Sequence, residues 1–157
     1  MKLTFFGAAK AVTGSCHCVE VRGKKILIDC GLQQGKDERD NTVLDFAPNY
    51  IDYVIVTHAH IDHSGRIPML IKNGFQGKII TTRLTADLLD IMLQDSAHIQ
   101  EQDAEYQNRK NKRAGRPEVE PIYTVDKDRK EKISRASQVL GMERRERLRK
   151  KKAVLPM

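Results

Sequence analysis

Short apolar segments separated by polar turns predict four strands in the first part of the chain. Residues 2–6 alternate weakly between apolar and polar, residues 16–21 alternate again, and a turn at residues 22–24 leads into a third segment at residues 25–29. A period of two is typical of a half-buried strand, and a glycine in the turn between two such segments predicts a hairpin. The compact apolar segment at residues 51–56 predicts a buried fourth strand.

Beyond a polar stretch at residues 57–65, the pattern predicts a helix and then another strand. Residues 66–73 predict a short helix, in which Pro68 lies in the first turn, and residues 78–82 predict the strand. Two strands joined through a helix form a βαβ unit, whose connection we expect to be right-handed. Ligands bind outside the carboxyl ends of such strands, so the polar stretch lies where a site is expected.

The remainder of the chain is predominantly polar. Apolar residues at helical spacing predict a longer helix that begins at Thr85, and a second helical stretch is expected from about Asp95 through Lys112. Residues 120–125 predict a weak final extended piece. The segment at residues 32–48 is predicted to be a polar loop.

Charge divides the chain into two parts. Residues 126–157 contain twelve Lys and Arg against five Asp and Glu, so they account for the whole net charge of +7. We therefore predict one partial domain over residues 1–125 and a basic tail over residues 126–157, helical or disordered. The basic tail could bind RNA phosphates or could simply be a solvated charged segment.

Four side chains that can bind a metal ion follow the fourth strand within six positions. His58, His60, Asp62 and His63 form the pattern His-x-His-x-Asp-His. Imidazole and carboxylate groups are ligands for zinc and similar divalent ions. Side chains alternate in extended chain, so His58 and His60 should point the same way, whereas Asp62 and His63 can face a second ion. Two adjacent ions can generate a hydroxide from bound water, and they can stabilise both the attacking and the leaving oxygen of a displacement reaction.

Other features limit the alternatives. No run of eighteen apolar residues is present and the N-terminal apolar stretch is too short for a signal peptide, so a cytoplasmic protein without a membrane span is expected. Cys16, Cys18 and Cys30 are an odd number without paired spacing, which argues against a disulfide framework. Cys16 and Cys18 could form a soft metal site, although buried free thiols are the commoner case.

Several segments together resemble the N-terminal part of bacterial metallo-β-lactamase-fold hydrolases of the β-CASP, RNA-processing branch. These hydrolases are similar to the endonuclease subunit of the cleavage and polyadenylation factor and to ribonuclease J. The resemblance covers roughly residues 1–125 and is carried by residues 6–16, 28–35, 56–65 and 95–100. It implies an α/β fold that is the N-terminal half of an αββα sandwich, incomplete in this chain.

The resemblance also implies roles for individual residues. His58 and His60 would bind the first of two Zn²⁺ ions, and Asp62 and His63 the second. Asp62 is also the candidate catalytic residue, because it could help to position the attacking water. Asp29 would not bind an ion itself, but would orient the loop that carries the ligands.

Two histidines outside the cluster are assigned no metal. His98 lies in a segment typical of the branch, and its role is left open. His17 is interpreted as a structural or surface residue. The branch completes its site with further histidine and aspartate ligands that have no counterpart after His98, so the site is expected to be incomplete here. A truncated or frame-shifted gene product would account for that.

The resemblance implies a metal-dependent hydrolase of RNA phosphodiester bonds, with a metal-bound hydroxide as nucleophile. RNA is the expected partner, a membrane is not, and a homo-oligomer is left open. One alternative is an inactive fragment that binds RNA nonspecifically through the basic tail. Another is a metallohydrolase of small esters or thioesters, against which the segments around residues 12–15 and 96–98 weigh.

Overall fold

The computed structural model describes residues 1–35 and 41–124, so the basic tail lies outside the described residues. The described part contains five strands and three α-helices, with a short 3₁₀-helix at Pro48–Tyr50. The strands are β1 (Lys2–Gly7), β2 (Cys16–Val21), β3 (Lys24–Ile28), β4 (Tyr53–Ile55) and β5 (Lys78–Ile80). The helices are α1 (Ile61–Ser64), α2 (Ile67–Lys72) and α3 (Arg83–Ala114).

The five strands form one mixed sheet in the order β1-β2-β3-β4-β5. Strand β2 is antiparallel to both β1 and β3, whereas β4 is parallel to both β3 and β5. The predicted hairpin is confirmed between β2 and β3, and Gly23 adopts the left-handed φ of +73° that its turn requires. The predicted strand–helix–strand unit is confirmed as β4-α2-β5, and the residues after β4 emerge at the carboxyl ends of three parallel strands.

One face of the sheet carries the hydrophobic core. Cys18, Leu27, Val54 and Ile79 lie side by side on neighbouring strands and are almost completely buried. The helices complete the same apolar cluster. Their buried contributions are Ile67 and Leu70 from α2 and Leu89 and Leu93 from α3. Burial of each of these side chains stabilises the fold by roughly 1.5–3 kcal/mol, which fixes α2 and α3 against the sheet.

The second helical stretch expected from Asp95 is a continuation of α3, so the prediction of two separate helices is wrong. No glycine or proline interrupts the 32 residues of α3. Thr82 caps its first turn by accepting a hydrogen bond from the Thr85 backbone N–H, and Gly115 ends the helix with a left-handed φ of 63°. Although α3 is long, no helix in the described part of the chain is apolar enough to cross a membrane.

The predicted extended piece at residues 120–125 does not join the sheet, and its described residues form no strand. The segment instead packs against α3, because the buried Tyr123 donates a hydrogen bond from its hydroxyl to Ser96 Oγ at 2.8 Å. Burial raises the pKa of Tyr123, so the phenol remains a hydrogen-bond donor at neutral pH. Contact with the helix therefore replaces pairing with a strand.

Candidate metal centre

The His-x-His-x-Asp-His segment forms a short loop after β4 and then enters α1. His60 precedes the first helical residue, and Asp62 and His63 lie within this single turn. Ser64 is completely buried and donates from its hydroxyl to the carbonyl oxygens of Ala59 at 3.1 Å and His60 at 2.9 Å. The hydroxyl thereby ties α1 to the loop that carries the first two histidines.

Two further segments of the chain contact α1 through backbone hydrogen bonds. The N–H of Cys30 donates to the carbonyl of His63 at 2.8 Å, and the N–H of Ser15 donates to that of Asp62 at 2.8 Å. Gly31 lies between these contacts, where an added Cβ would be only 1.6 Å from the Asp62 carbonyl oxygen. Only glycine therefore allows the segment after β3 to approach α1 this closely.

Asp29 is the residue around which the hydrogen bonds of the site converge. It is 2% exposed and adopts a left-handed φ of 60° directly after β3. Its Oδ1 accepts from the backbone N–H of Thr57 at 2.8 Å and from the Thr57 hydroxyl at 2.9 Å. Its Oδ2 lies 2.7 Å from Nδ1 of His63 and accepts from Ser15 Oγ at 3.2 Å. The carboxylate thus joins β3, the loop and α1.

The contact with Asp29 determines which nitrogen of His63 is available to a metal ion. A carboxylate accepts hydrogen bonds, so Nδ1 of His63 carries the proton that it donates to Asp29. The lone pair is then on Nε2, which lies 3.5 Å from Oδ2 of Asp62. A histidine held by a carboxylate through one nitrogen, with the other nitrogen free, is the usual arrangement of a metal-binding histidine.

The four predicted donors are brought together at the carboxyl end of β4. The ring of His58 lies 4.7 Å from the ring of His60 and 4.0 Å from that of His63, measured between centroids. Thr57 Oγ1 lies 3.0 Å from Nδ1 of His58. Asp62 and His63 are about a quarter exposed, so solvent reaches the cluster.

In its chemistry this donor set fits divalent ions such as zinc, because it combines three imidazoles with one carboxylate. The arrangement is nevertheless open. In residues 1–35 and 41–124, no three histidine, cysteine, aspartate or glutamate side chains converge so that they could hold one ion as they stand. As they stand, the four side chains therefore do not form a complete metal site, and their assignment as metal ligands stays a prediction.

Sequence reasoning missed Thr57, Ser15 and Gly31 as parts of this site. Thr57 is adjacent to the first histidine, and a hydroxyl at that position was the only local signal. Ser15 and Gly31 lie more than 25 residues upstream of the cluster, and their proximity to Asp62 arises only from the fold.

The remaining candidate residues lie apart from the four donors. His98 is exposed on α3 and hydrogen-bonds to Gln102 one turn further along the helix. His17 lies on β2, where its ring contacts the edge of Phe5. Cys16 and Cys18 are buried thiols, and both have raised pKa values: contact with the Cys30 thiol and burial raise that of Cys16, and burial raises that of Cys18. In residues 1–35 and 41–124, this pair belongs to no group of three or more histidine, cysteine, aspartate or glutamate side chains that could hold a metal ion.

Comparison with known proteins extends these observations. The sequence profile of the Metallo-beta-lactamase superfamily matches residues 9–146 of the chain. Among solved structures, human tRNase Z, short form, is similar over 79% of this chain and 43% of its own, at 17% identity and a TM-score of 0.40. The α/β fold class predicted from the sequence is consistent with the family match.

Two curated relatives carry names that refer to RNA or transcription. Ribonuclease TTHA0252 of Thermus thermophilus is 42% identical over 103 residues, which are 65% of this chain and 24% of the relative. Transcription termination factor FttA of Methanosarcina mazei is 40% identical over 99 residues, which are 60% of this chain and 16% of the relative. The chain therefore spans about a quarter or less of the length of these relatives.

Proposed function

The chain belongs to the metallo-β-lactamase superfamily, and from this premise we propose that it supplies part of the dinuclear metal site of an RNA phosphodiesterase. In this proposal His58 and His60 bind one divalent ion, and Asp62 and His63 bind the second. RNA is proposed as the substrate because two relatives that match 65% and 60% of this chain are named as a ribonuclease and a termination factor.

The observation that supports the proposal most strongly is the contact between Asp29 and His63. The 2.7 Å hydrogen bond fixes the His63 ring and directs its Nε2 toward Asp62. A carboxylate that is 2% exposed needs hydrogen-bond donors, and Thr57, Ser15 and His63 provide them. Asp29 therefore orients a ligand without itself reaching the ion.

Divalent ions bound here would lower the pKa of a water molecule and stabilise negative charge on the phosphate oxygens. The residues of this chain would bind and orient these ions. Asp62 is proposed to have a second role, since its partly exposed carboxylate can accept a hydrogen bond from the attacking water. His60, which is exposed at the start of α1, would face the substrate side of the site.

Two protein ligands for each ion are fewer than the three that are usual in catalytic zinc sites. We infer that ligands outside the described residues, from the same protein or from another chain, complete the coordination. Hydrolysis therefore requires these further ligands. Binding of metal by His58, His60, Asp62 and His63 does not require them. The proposal is therefore tested through metal binding.

The experiment measures zinc bound to the 157-residue chain by equilibrium dialysis with elemental analysis. We expect His58→Ala and Asp62→Ala each to reduce the bound zinc, because each removes one ligand. His98→Ala is the matched control and should leave the bound zinc unchanged, since His98 lies on the exposed face of α3. Zinc binding that is equal in all four proteins would refute the proposal.

A further inference from the structure

The charges of α3 are separated along its length. Between residues 87 and 105 the helix has six acidic side chains and no Lys or Arg. Between residues 106 and 117 the reverse holds, because this segment has five cations and no carboxylate. We call the second segment the basic helix end; its cations are Arg109, Lys110, Lys112, Arg113 and Arg116.

The five cations of the basic helix end are exposed, and within the described ranges none of them forms an ion pair. Their number exceeds what the helix itself requires. The carboxyl end of a helix carries a partial charge of about −0.5, which one cation can offset. Among residues 1–35 and 41–124 the remaining positive charge has no ion-pair partner, which suits this segment to an external anion.

The basic helix end is held in a fixed conformation, although helix ends commonly fray. Asn108 pairs with the backbone of Val119 through two hydrogen bonds, of 2.9 and 2.7 Å. The side chain of Asn111 donates to the backbone carbonyl of Pro117 at 2.8 Å. The backbone carbonyl of Asn111 accepts from the N–H of Arg116 at 2.9 Å. These contacts fold residues 116–119 back against the helix and keep Arg116 beside the other cations.

An aromatic side chain lies next to the cations. Tyr106 is 55% exposed, and Nζ of Lys110 lies over one face of its ring, 4.3 Å from the centroid, so a base would stack on the opposite face. Proteins that bind single-stranded nucleic acid commonly combine exposed aromatic rings with nearby cations. The bases stack on the rings and the cations contact the phosphates. An acidic protein surface would match the charge but would leave the ring without a stacking partner.

We propose that the basic helix end binds the backbone of single-stranded RNA, with one base stacked on Tyr106. The choice of RNA as the polymer rests on the proposed function. Hydrogen bonds from the N–H of Val56 and the Thr81 hydroxyl join the end of β4 to the end of β5, so α3 starts at the sheet edge from which the histidine-containing loop emerges. A helix of 32 residues is about 48 Å long. The basic helix end therefore anchors RNA far from the bond that is cleaved.

The experiment measures fluorescence anisotropy of a labelled oligouridylate of 20 nucleotides against salt concentration, in EDTA so that no metal contributes. The test variant replaces Arg109, Lys110, Arg113 and Arg116 by Gln. The matched control replaces Lys2, Lys10, Lys72 and Lys78 by Gln, which removes the same charge from exposed positions elsewhere.

We expect the test variant to lose affinity by about tenfold or more at 50 mM salt. The slope of log K against log salt should fall by roughly 0.7 for each phosphate contact that is lost, which is up to about 3 for four contacts. The control should change neither quantity substantially. An equal loss in both variants, or no loss in the test variant, would overturn the proposal.

Two further variants separate charge, stacking and the basic tail. Tyr106→Ala should weaken binding by about fivefold or more with an unchanged salt slope, because stacking involves no counterion release. A variant with Arg144, Arg145, Arg147 and Arg149 replaced by Gln tests the basic tail; if it alone abolishes binding, the proposal is wrong. Because the measurement is made without metal, failure of the zinc experiment would not alter its outcome.

Discussion

Oδ2 of Asp29 lies 2.7 Å from Nδ1 of His63, although 34 positions separate the two residues. Asp29 follows β3 and His63 lies in α1, so the contact joins the sheet to the helix turn that carries two of the four metal-binding candidates. The buried carboxylate fixes both the orientation of the ring and the nitrogen that remains free. Two predictions on zinc binding follow from this relationship, and two on stability follow from other contacts of the fold.

Asp29→Asn should weaken zinc binding by about 10- to 100-fold, the usual effect of removing a carboxylate that orients a metal-binding histidine. The amide keeps the shape of the side chain but loses the charge that holds Nδ1–H of His63. Titration against a chromophoric chelator measures the affinity. Asp52→Asn is the matched control, since Asp52 pairs with Lys24 and Lys25 at the opposite ends of the strands. Equal affinities for Asp29→Asn and the wild type would contradict the assigned role.

Thr57→Val should weaken zinc binding less than Asp29→Asn does, because it removes one hydroxyl donor to Asp29 and keeps the backbone donor. The two residues act through the same hydrogen-bond network, so their effects should not add. A double-mutant cycle measures this directly. Zinc affinity of the double variant should be close to that of Asp29→Asn, and full additivity would show that Thr57 acts independently.

Gly31→Ala should destabilise the fold by about 2 kcal/mol or more, because its Cβ would collide with the Asp62 carbonyl oxygen. Gly74→Ala is the matched comparison: that position has open space but a φ of +95°, so it tests backbone strain alone at about 1 kcal/mol. Denaturant unfolding followed by circular dichroism gives both values. A smaller loss for Gly31→Ala than for Gly74→Ala would be inconsistent with the close approach.

Asp52 should contribute to stability in a manner that depends on pH. Its carboxylate accepts from Lys24 Nζ at 2.6 Å and from the Lys25 N–H at 2.9 Å, and these bonds hold the pKa of Asp52 below its ordinary value. A lowered pKa means that the contribution is present above the pKa of the unfolded chain and is lost as the pH falls through the folded value. Asp52→Asn should therefore be less stable than the wild type at pH 7, and the difference should disappear in strong acid. A difference that persists in acid would exclude this explanation.

Local patterns predicted the strands and the position of the cluster because each depends on neighbouring residues. Alternation identified β2 and β3, and glycine identified the turn between them. The approach of Gly31 to Asp62 could not be predicted, since it depends on how β3 and α1 pack. The continuity of α3 was missed because its large apolar residues become sparse after Leu93, where the buried positions are the small or polar Ser96, Ala97 and Asn111.

The central claim is that His58, His60 and His63 bind metal while the other two histidines do not. Long-range ¹H–¹⁵N correlation spectra of the ¹⁵N-labelled chain resolve the ring nitrogens of all five histidines. We predict that His63 carries its proton on Nδ1 before zinc is added, and that zinc shifts the resonances of His58, His60 and His63 but not those of His17 and His98. Equal shifts in all five histidines, or a proton on Nε2 of His63, would contradict the account.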